Sequence, residues 1–148
     1  MRQSVNEFKQ LILKSTRGVG VPFGVGEDIC DLAVWLQGCF ISDASIIVKA
    51  LQAIDSGKSR FDINHDELAS PQSEGLISSI FLSVMVSDSI QNCFHKKSKD
   101  IFIKNIDYPL LVGAAAIRCH RKYDATSSLL VFTKNLKMSS FRNSKEIE

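Results

Sequence analysis

The chain has 148 residues, of which 45% are hydrophobic and 23% are charged, a composition that excludes an intrinsically disordered protein. Its 18 basic and 16 acidic side chains give a formal charge of +2, and much of the basic excess falls near the C-terminus, so we expect no nucleic-acid partner. The length predicts a single globular domain over residues 1–138, with a flexible polar tail over residues 139–148.

Cysteine usage and apolar content predict a cytoplasmic protein. The four cysteines (Cys30, Cys39, Cys93 and Cys119) form no CxxC pair, and none has a histidine at zinc-finger spacing. The N-terminal residues lack the apolar core of a signal peptide, and no apolar run approaches the roughly 18 residues of a membrane span. We therefore expect reduced thiols and no membrane partner, and the sequence indicates no cofactor.

The N-terminal segment predicts a helical hairpin. Ser4 and Glu7 form an S-x-x-E capping box, and apolar residues recur at helical spacing behind it, which predicts a first helix over residues 4–16. Gly18 suits the left-handed residue that ends a helix, and Pro22 suits the first turn of a second helix that runs to Gly38. Two helices joined by a short turn form an αα-hairpin.

A third helix is predicted next, and strands after it. Ser42 or Asp43 can cap the third helix, and Gly57 can end it. The polar residues 58–75 predict a long connection with a short strand or turn at residues 61–63. From Leu76 onward the chain is rich in β-branched and aromatic residues, which predicts strands at residues 76–88, 101–106 and 128–134.

One C-terminal segment fits two structures. Residues 109–112 begin like a strand, whereas residues 114–121 suit a helix, and periodicity does not decide between them. With the strands above, we predict an α+β fold in which the N-terminal helices, a helical hairpin plus a third helix, pack on a mainly antiparallel C-terminal sheet.

The turn between the first two helices holds the residues of greatest chemical interest. Four glycines before a helix are typical of a phosphate-binding loop (Gly18, Gly20, Gly24 and Gly26). However, a helix precedes this turn, and its order matches neither GxGxxG nor GxxxxGK[ST]. Glu27 and Asp28 in the following turn would also repel a phosphate. These features argue against nucleotide binding.

Arg17 is the candidate ligand-binding residue of this turn. An arginine held beside a helix start can bind a carboxylate with both arms of its guanidinium. That carboxylate belongs either to Glu27 or Asp28 of this chain or to a small ligand, and both alternatives stay open. Phe23 and Trp35 are most simply core residues, although each can also line a pocket.

Other polar residues give weaker signals. Asp88 follows an apolar run, where the end of a strand would place a functional carboxylate, but it suits a turn equally well. His65 and its acidic neighbours have no second set of ligands, so we expect a solvated loop and no metal. The basic run at residues 118–122 is most simply a solvated edge. No motif names a nucleophile, so no catalytic residue is assigned.

The first 36 residues resemble a known family. Matching positions are Asn6, Glu7, Arg17–Gly20, Pro22–Gly24, Glu27, Asp28, Trp35 and Leu36. They resemble the N-terminal signature, LNEIE…ARGAG-(aromatic)-G-x-AEE…WL, of a bacterial family of uncharacterised proteins, a domain of unknown function. Val19 and Phe23 stand where that family tends to have alanine and an indole. The resemblance implies a bacterial cytoplasmic setting and adds weight to the turn as a site, but it implies no reaction.

Two hypotheses about function follow. The first is a small-molecule binding protein or enzyme accessory subunit whose ligand, a small carboxylate, meets the turn. Its predicted binding residues are Arg17, Gly18, Gly20, Phe23, Glu27, Asp28, Trp35 and Asp88. The second is a protein interaction or dimerisation module, with a homodimer or a partner protein and without ligand chemistry. An enzyme that uses Asp88 or a histidine has no positive support in the sequence.

Overall fold

Five helices and two short strands make up the part of the chain that the structure, a computed structural model, describes. That part comprises residues 4–39, 44–61, 75–92, 103 and 105–123. In chain order the elements are α1 (Val5–Gly18), α2 (Phe23–Cys39), α3 (Ser45–Asp55), β1 (Ser59–Arg60), β2 (Leu76–Ile77), α4 (Ser79–Asn92) and α5 (Pro109–Tyr123).

The capping box predicted for the first helix is confirmed. The hydroxyl of Ser4 accepts a hydrogen bond from the backbone N–H of Glu7 at 3.2 Å, and the Ser4 N–H donates to Oε2 of Glu7 at 2.8 Å. The Ser4 hydroxyl also donates to Oε2 of Glu7 at 2.9 Å. The two hydrogen bonds that this carboxylate accepts, the backbone one first, lower the pKa of Glu7 because they favour its charged form. The left-handed residue after α1 is Gly20, with φ of 81°, and not Gly18 as predicted.

The predicted antiparallel sheet is wrong. Within the described residues, β1 and β2 form a two-stranded parallel sheet in which Ser59 pairs with Leu76. Of the strand predicted at residues 101–106, Ile106 makes one parallel bridge to Ile77. The predicted strand at residues 128–134 lies outside the described residues, as do residues 62 and 63 of the predicted strand or turn at residues 61–63.

The largest correction concerns residues 76–88, where helix α4 replaces most of a predicted strand. Isoleucine, valine, phenylalanine and serine favour strands or turns. However, α4 packs against α2, α3 and α5, and its apolar residues are therefore distributed around the helix and not along one face. Three serine hydroxyls donate to carbonyls one turn earlier, Ser83 to Ser79, Ser87 to Ser83 and Ser89 to Met85. Packing therefore overrides local propensity, and the buried hydroxyl of Ser83 is bonded within the helix, whereas that of Ser79 has no hydrogen-bond partner among the described residues.

The ambiguous segment 109–123 is helix α5. Pro109 occupies its first position, where a missing N–H costs nothing. The small residues from Gly113 to Ala116 are all buried, which allows the backbone of α5 to approach its neighbours closely. The core to which α2, α3, α4 and α5 contribute includes Ile29, Leu36, Ile47, Ile80 and Leu111, each at most 1% exposed.

Asp107 joins the sheet to the two C-terminal helices. Its Oδ2 accepts a hydrogen bond from the Ser59 hydroxyl at 2.7 Å, and its Oδ1 accepts from the N–H groups of Ser79 at 2.8 Å and of Tyr108 at 2.6 Å. Helices α4 and α5 therefore start at the same carboxylate, which suits the positive ends of both helix dipoles. Further along, the Cys119 thiol donates to the carbonyl of Ser87 at 3.6 Å, so the two helices run in parallel.

Candidate functional site

A charged cleft of about 110 Å³ lies between α2, α4 and α5. Each helix contributes at least one charged side chain to its wall, among them Asp28 from α2, Asp88 from α4 and Arg118 from α5. The other lining residues are Ile29, Asp31, Leu32, Ser83, Val84, Ser87, Ala115 and Cys119. The cleft is therefore lined by charged and polar groups together with a few apolar side chains, and its exposed surface is mainly polar.

The parallel packing of α4 and α5 explains why Asp88 and Arg118 line the same cleft. Asp88 is nine residues beyond Ser79, the first residue of α4, and Arg118 is nine residues beyond Pro109, the first residue of α5. At 1.5 Å per residue, each side chain lies about 13 Å along its helix from the start that both helices share. The two helices therefore place opposite charges at the same distance along their parallel axes.

Asp28 reaches the cleft from the first half of α2. The next residue, Ile29, is fully buried and fixes this side of the helix against the core. Asp31, one turn further, also lines the cleft, but it forms an ion pair with Lys9 of α1 at 2.7 Å. The charge of Asp31 is therefore already balanced, whereas that of Asp28 is not.

The three principal charges of the cleft do not pair with one another. Within the described ranges, no ion pair or hydrogen bond joins Arg118 to Asp28 or Asp88, and none joins these three side chains to any other group. Arg118 is partly exposed to solvent. Three unpaired charges around one small cleft are an arrangement that a charged ligand can complete.

The pKa of Asp28 is raised above its ordinary value. Although Asp28 keeps an exposed surface, partial burial is the largest cause, and repulsion by the negative charge of Asp88 comes next. The positive charge of Arg118 acts in the opposite direction, while Asp31 and Glu27 add smaller repulsions. The electrostatic environment of Asp28 therefore favours the arrival of a positive charge.

The structure brings together two of the predicted site residues, Asp28 and Asp88. It places Arg17 elsewhere: its guanidinium carbon lies 4.6 Å from the centre of the Phe23 ring, in a cation–π contact. Arg17 pairs with neither Glu27 nor Asp28, and Phe23 is 49% exposed and is not a core residue.

The remaining predicted residues also lie outside the lining of the cleft. Glu27 is exposed, as are Gly18 and Gly20 in and after the last turn of α1. Trp35 is half-buried and packs against the main core. The predicted turn site and the cleft are therefore two different sites. Asp28 is the one residue of the predicted turn site that also lines the cleft.

Arg118 was not among the predicted binding residues. Its signal in the sequence was the basic run at residues 118–122, which we interpreted as a solvated edge. Asp88 is predicted as a site residue because it would lie at the end of a strand. In the structure it lies within helix α4.

Comparisons with known proteins provide no further constraint. No family model matches the chain, and no match was found among curated proteins or solved structures. The resemblance of the N-terminal residues to a bacterial family of unknown function stays a prediction.

The described part of the chain shows neither a metal-binding cluster nor a membrane-spanning helix. No group of three or more histidine, cysteine or acidic side chains there is arranged to hold a metal ion. None of the helices described has both the length and the apolar character required to cross a bilayer.

Exposed apolar side chains do not single out one docking face. Among the described residues the large ones are Val5, Leu11, Phe23, Val48, Leu76, Leu110 and Ile117, and they lie on five different elements. Apolar side chains distributed in this way are normal on a protein surface. The interaction or dimerisation hypothesis therefore stays a prediction that no particular surface favours.

Proposed function

We propose that the protein binds a small molecule that carries a carboxylate, and that the site is the cleft between α2, α4 and α5. Arg118 takes the carboxylate-binding role that was predicted for Arg17. The observation that carries the proposal is the position of Arg118, which lines the cleft and forms no ion pair within the described residues. A guanidinium offers two parallel N–H donors that match the two oxygens of a carboxylate.

The volume of the cleft limits the size of this ligand. Sites for drug-sized molecules span roughly 300–1,000 Å³. A cleft of about 110 Å³ suits a molecule of few non-hydrogen atoms or one end of a longer molecule. The function is binding, as a ligand-binding protein or as an accessory subunit of an enzyme, and we place it in the cytoplasm.

A thermal-shift screen tests the proposal directly. The panel contains small mono- and dicarboxylates, hydroxy acids and amino acids, each applied to the wild type and to Arg118→Gln. A ligand at a hundredfold excess over its Kd stabilises the folded state by about 2.7 kcal/mol, which raises the Tm by about 5–10 °C in a chain of this size. We expect this response from the wild type and its loss in Arg118→Gln.

Two further variants locate the response. Arg17→Gln tests the turn predicted from sequence, and Arg60→Gln, exposed on β1, is the matched control for loss of one positive charge. Both should retain the ligand response. Loss of the response in Arg17→Gln but not in Arg118→Gln would move the site to the turn. The absence of a response to every carboxylate in the wild type would refute the proposal.

A further inference from the structure

We infer that the ligand of this cleft is a small zwitterion that carries an ammonium group as well as a carboxylate, as amino acids do. The inference rests on the proposed function, because it names the second charged group of the same ligand. The juxtaposition that supports it is that two unpaired carboxylates, those of Asp28 and Asp88, line the same cleft as the unpaired guanidinium of Arg118.

The balance of charge in the cleft disfavours a simple carboxylate. Asp31 is neutralised by Lys9, which leaves two negative charges and one positive charge of the cleft without an ion-pair partner among the described residues. A ligand with only a carboxylate would meet Arg118 but would also approach Asp28 and Asp88, whose charges repel it. An ammonium group on the same ligand converts that repulsion into attraction.

A simple amine is disfavoured for the converse reason. An amine would satisfy Asp28 and Asp88, but it would add a positive charge to a cleft that already holds the guanidinium of Arg118. The two carboxylates belong to α2 and α4, and the guanidinium belongs to α5. A molecule with opposite charges at its two ends can therefore contact all three helices at once.

The electrostatics of Asp28 agree with this assignment. Its raised pKa reflects partial burial first and repulsion by Asp88 second. A bound cation relieves both effects, because it supplies the opposite charge that the two carboxylates lack. Binding of the ammonium group should therefore lower the pKa of Asp28.

Matched probe compounds separate the two charged groups. The zwitterions are glycine, β-alanine and 4-aminobutyrate; acetate, propionate and butyrate lack the amine; methylamine, ethylamine and propylamine lack the carboxylate. Affinities are measured by calorimetry on the wild type. We expect at least one zwitterion to bind roughly tenfold or more tightly than both of its matched compounds, since a hydrogen bond to a charged group contributes about that much.

Isosteric variants assign each contact. Asp28→Asn and Asp88→Asn should each reduce zwitterion affinity roughly tenfold. Asp55→Asn, on the exposed end of α3, makes the same charge change away from the cleft lining and should leave zwitterion affinity unchanged. As a second measurement, carboxyl carbon NMR of the wild type should show the Asp28 and Asp88 signals shifting when the zwitterion is added.

The outcomes distinguish this inference from the proposal beneath it. If simple carboxylates bind as tightly as zwitterions, depend on Arg118 and ignore Asp28→Asn and Asp88→Asn, the zwitterion inference is overturned and the carboxylate site stands. If amines bind best and Arg118→Gln has no effect, both are overturned. If none of the probes and no other carboxylate binds the wild type, both fail as well.

Discussion

A Cβ atom at Gly26 would lie 2.6 Å from Oγ1 of Thr16, closer than such atoms approach in proteins. Thr16 is fully buried on α1, and its hydroxyl donates to the carbonyl of Leu13 at 2.9 Å, so it has little freedom to move. Gly26 is therefore the residue that lets α1 and α2 pack closely, and this contact supports the helical hairpin that presents Asp28.

We expect Gly26→Ala to destabilise the protein by about 1–3 kcal/mol, because the added methyl group overpacks this contact. Urea denaturation measures the change. Gly24→Ala is the matched control: a Cβ there meets nothing within 4 Å, so the substitution should be neutral or mildly stabilising. Thr16→Ala in the Gly26→Ala background should restore part of the loss, since it removes Oγ1. Additive effects of the two substitutions would contradict the contact.

Ser4→Ala should destabilise α1 by about 1 kcal/mol, because it removes the hydroxyl that accepts from the N–H of Glu7. Ser15→Ala is its control, since Ser15 lies inside α1 and its replacement by a better helix former should stabilise slightly. The pKa of Glu7 is lowered in the folded state. The hydrogen bonds to its carboxylate therefore stabilise the folded protein at pH values above the ordinary pKa of glutamate. This stabilisation is lost as the pH falls through the lowered pKa. Equal urea midpoints for Ser4→Ala and the wild type would contradict the cap.

Asp28→Asn should stabilise the ligand-free protein at neutral pH, but by no more than about 0.5 kcal/mol, because Asp28 is largely exposed and solvent screens its charge. Because the pKa of Asp28 is raised by partial burial and by Asp88, its ionisation opposes folding. The destabilisation by ionised Asp28 develops as the pH rises from the ordinary pKa of aspartate to the raised pKa, and it is fully present above the raised pKa. The greater stability of Asp28→Asn should therefore vanish in acid. Denaturation across that pH range measures this dependence.

Asp88→Asn offers an independent check on the same pair. Removal of the Asp88 charge should move the pKa of Asp28 back toward its ordinary value, because that charge is the second-largest cause of the rise. Carboxyl carbon NMR measures the titration of Asp28 directly. An unchanged titration would show that the two carboxylates do not interact.

Asp107→Ala should destabilise the protein by about 2–4 kcal/mol, because it leaves the Ser59 hydroxyl and the Ser79 N–H without their acceptor. Asp107→Asn keeps one acceptor oxygen and should cost less. Urea denaturation of the two variants gives the comparison. Equal losses would mean that the negative charge, and not the acceptor geometry, matters most.

The sequence predicted the parts of the fold that local signals control. Ser4 and Glu7 indicated the start of α1, and Gly57, with φ of 69°, follows α3 as predicted. The prediction failed at residues 79–88 because the helical state of that segment depends on partners far away in sequence, the packing of α5 and the carboxylate of Asp107.

The site was predictable only in part, for a related reason. Asp28 and Asp88 were named from local context, but nothing local shows that they face one cleft. Arg118 gave no separate signal because its importance comes from the parallel alignment of α4 and α5, which the chain achieves only in three dimensions.

The dependence of α4 on Asp107 has a consequence during synthesis. The carboxylate that caps Ser79 lies 28 residues later in the chain, so α4 emerges from the ribosome before its cap or the packing surface of α5 exists. Residues 79–87 are uncharged, free of proline and mainly apolar, with three serines, a composition close to that of segments that stack into amyloid-like strands. The docking of α5 therefore covers a segment that would otherwise be prone to strand stacking, and it also completes the cleft.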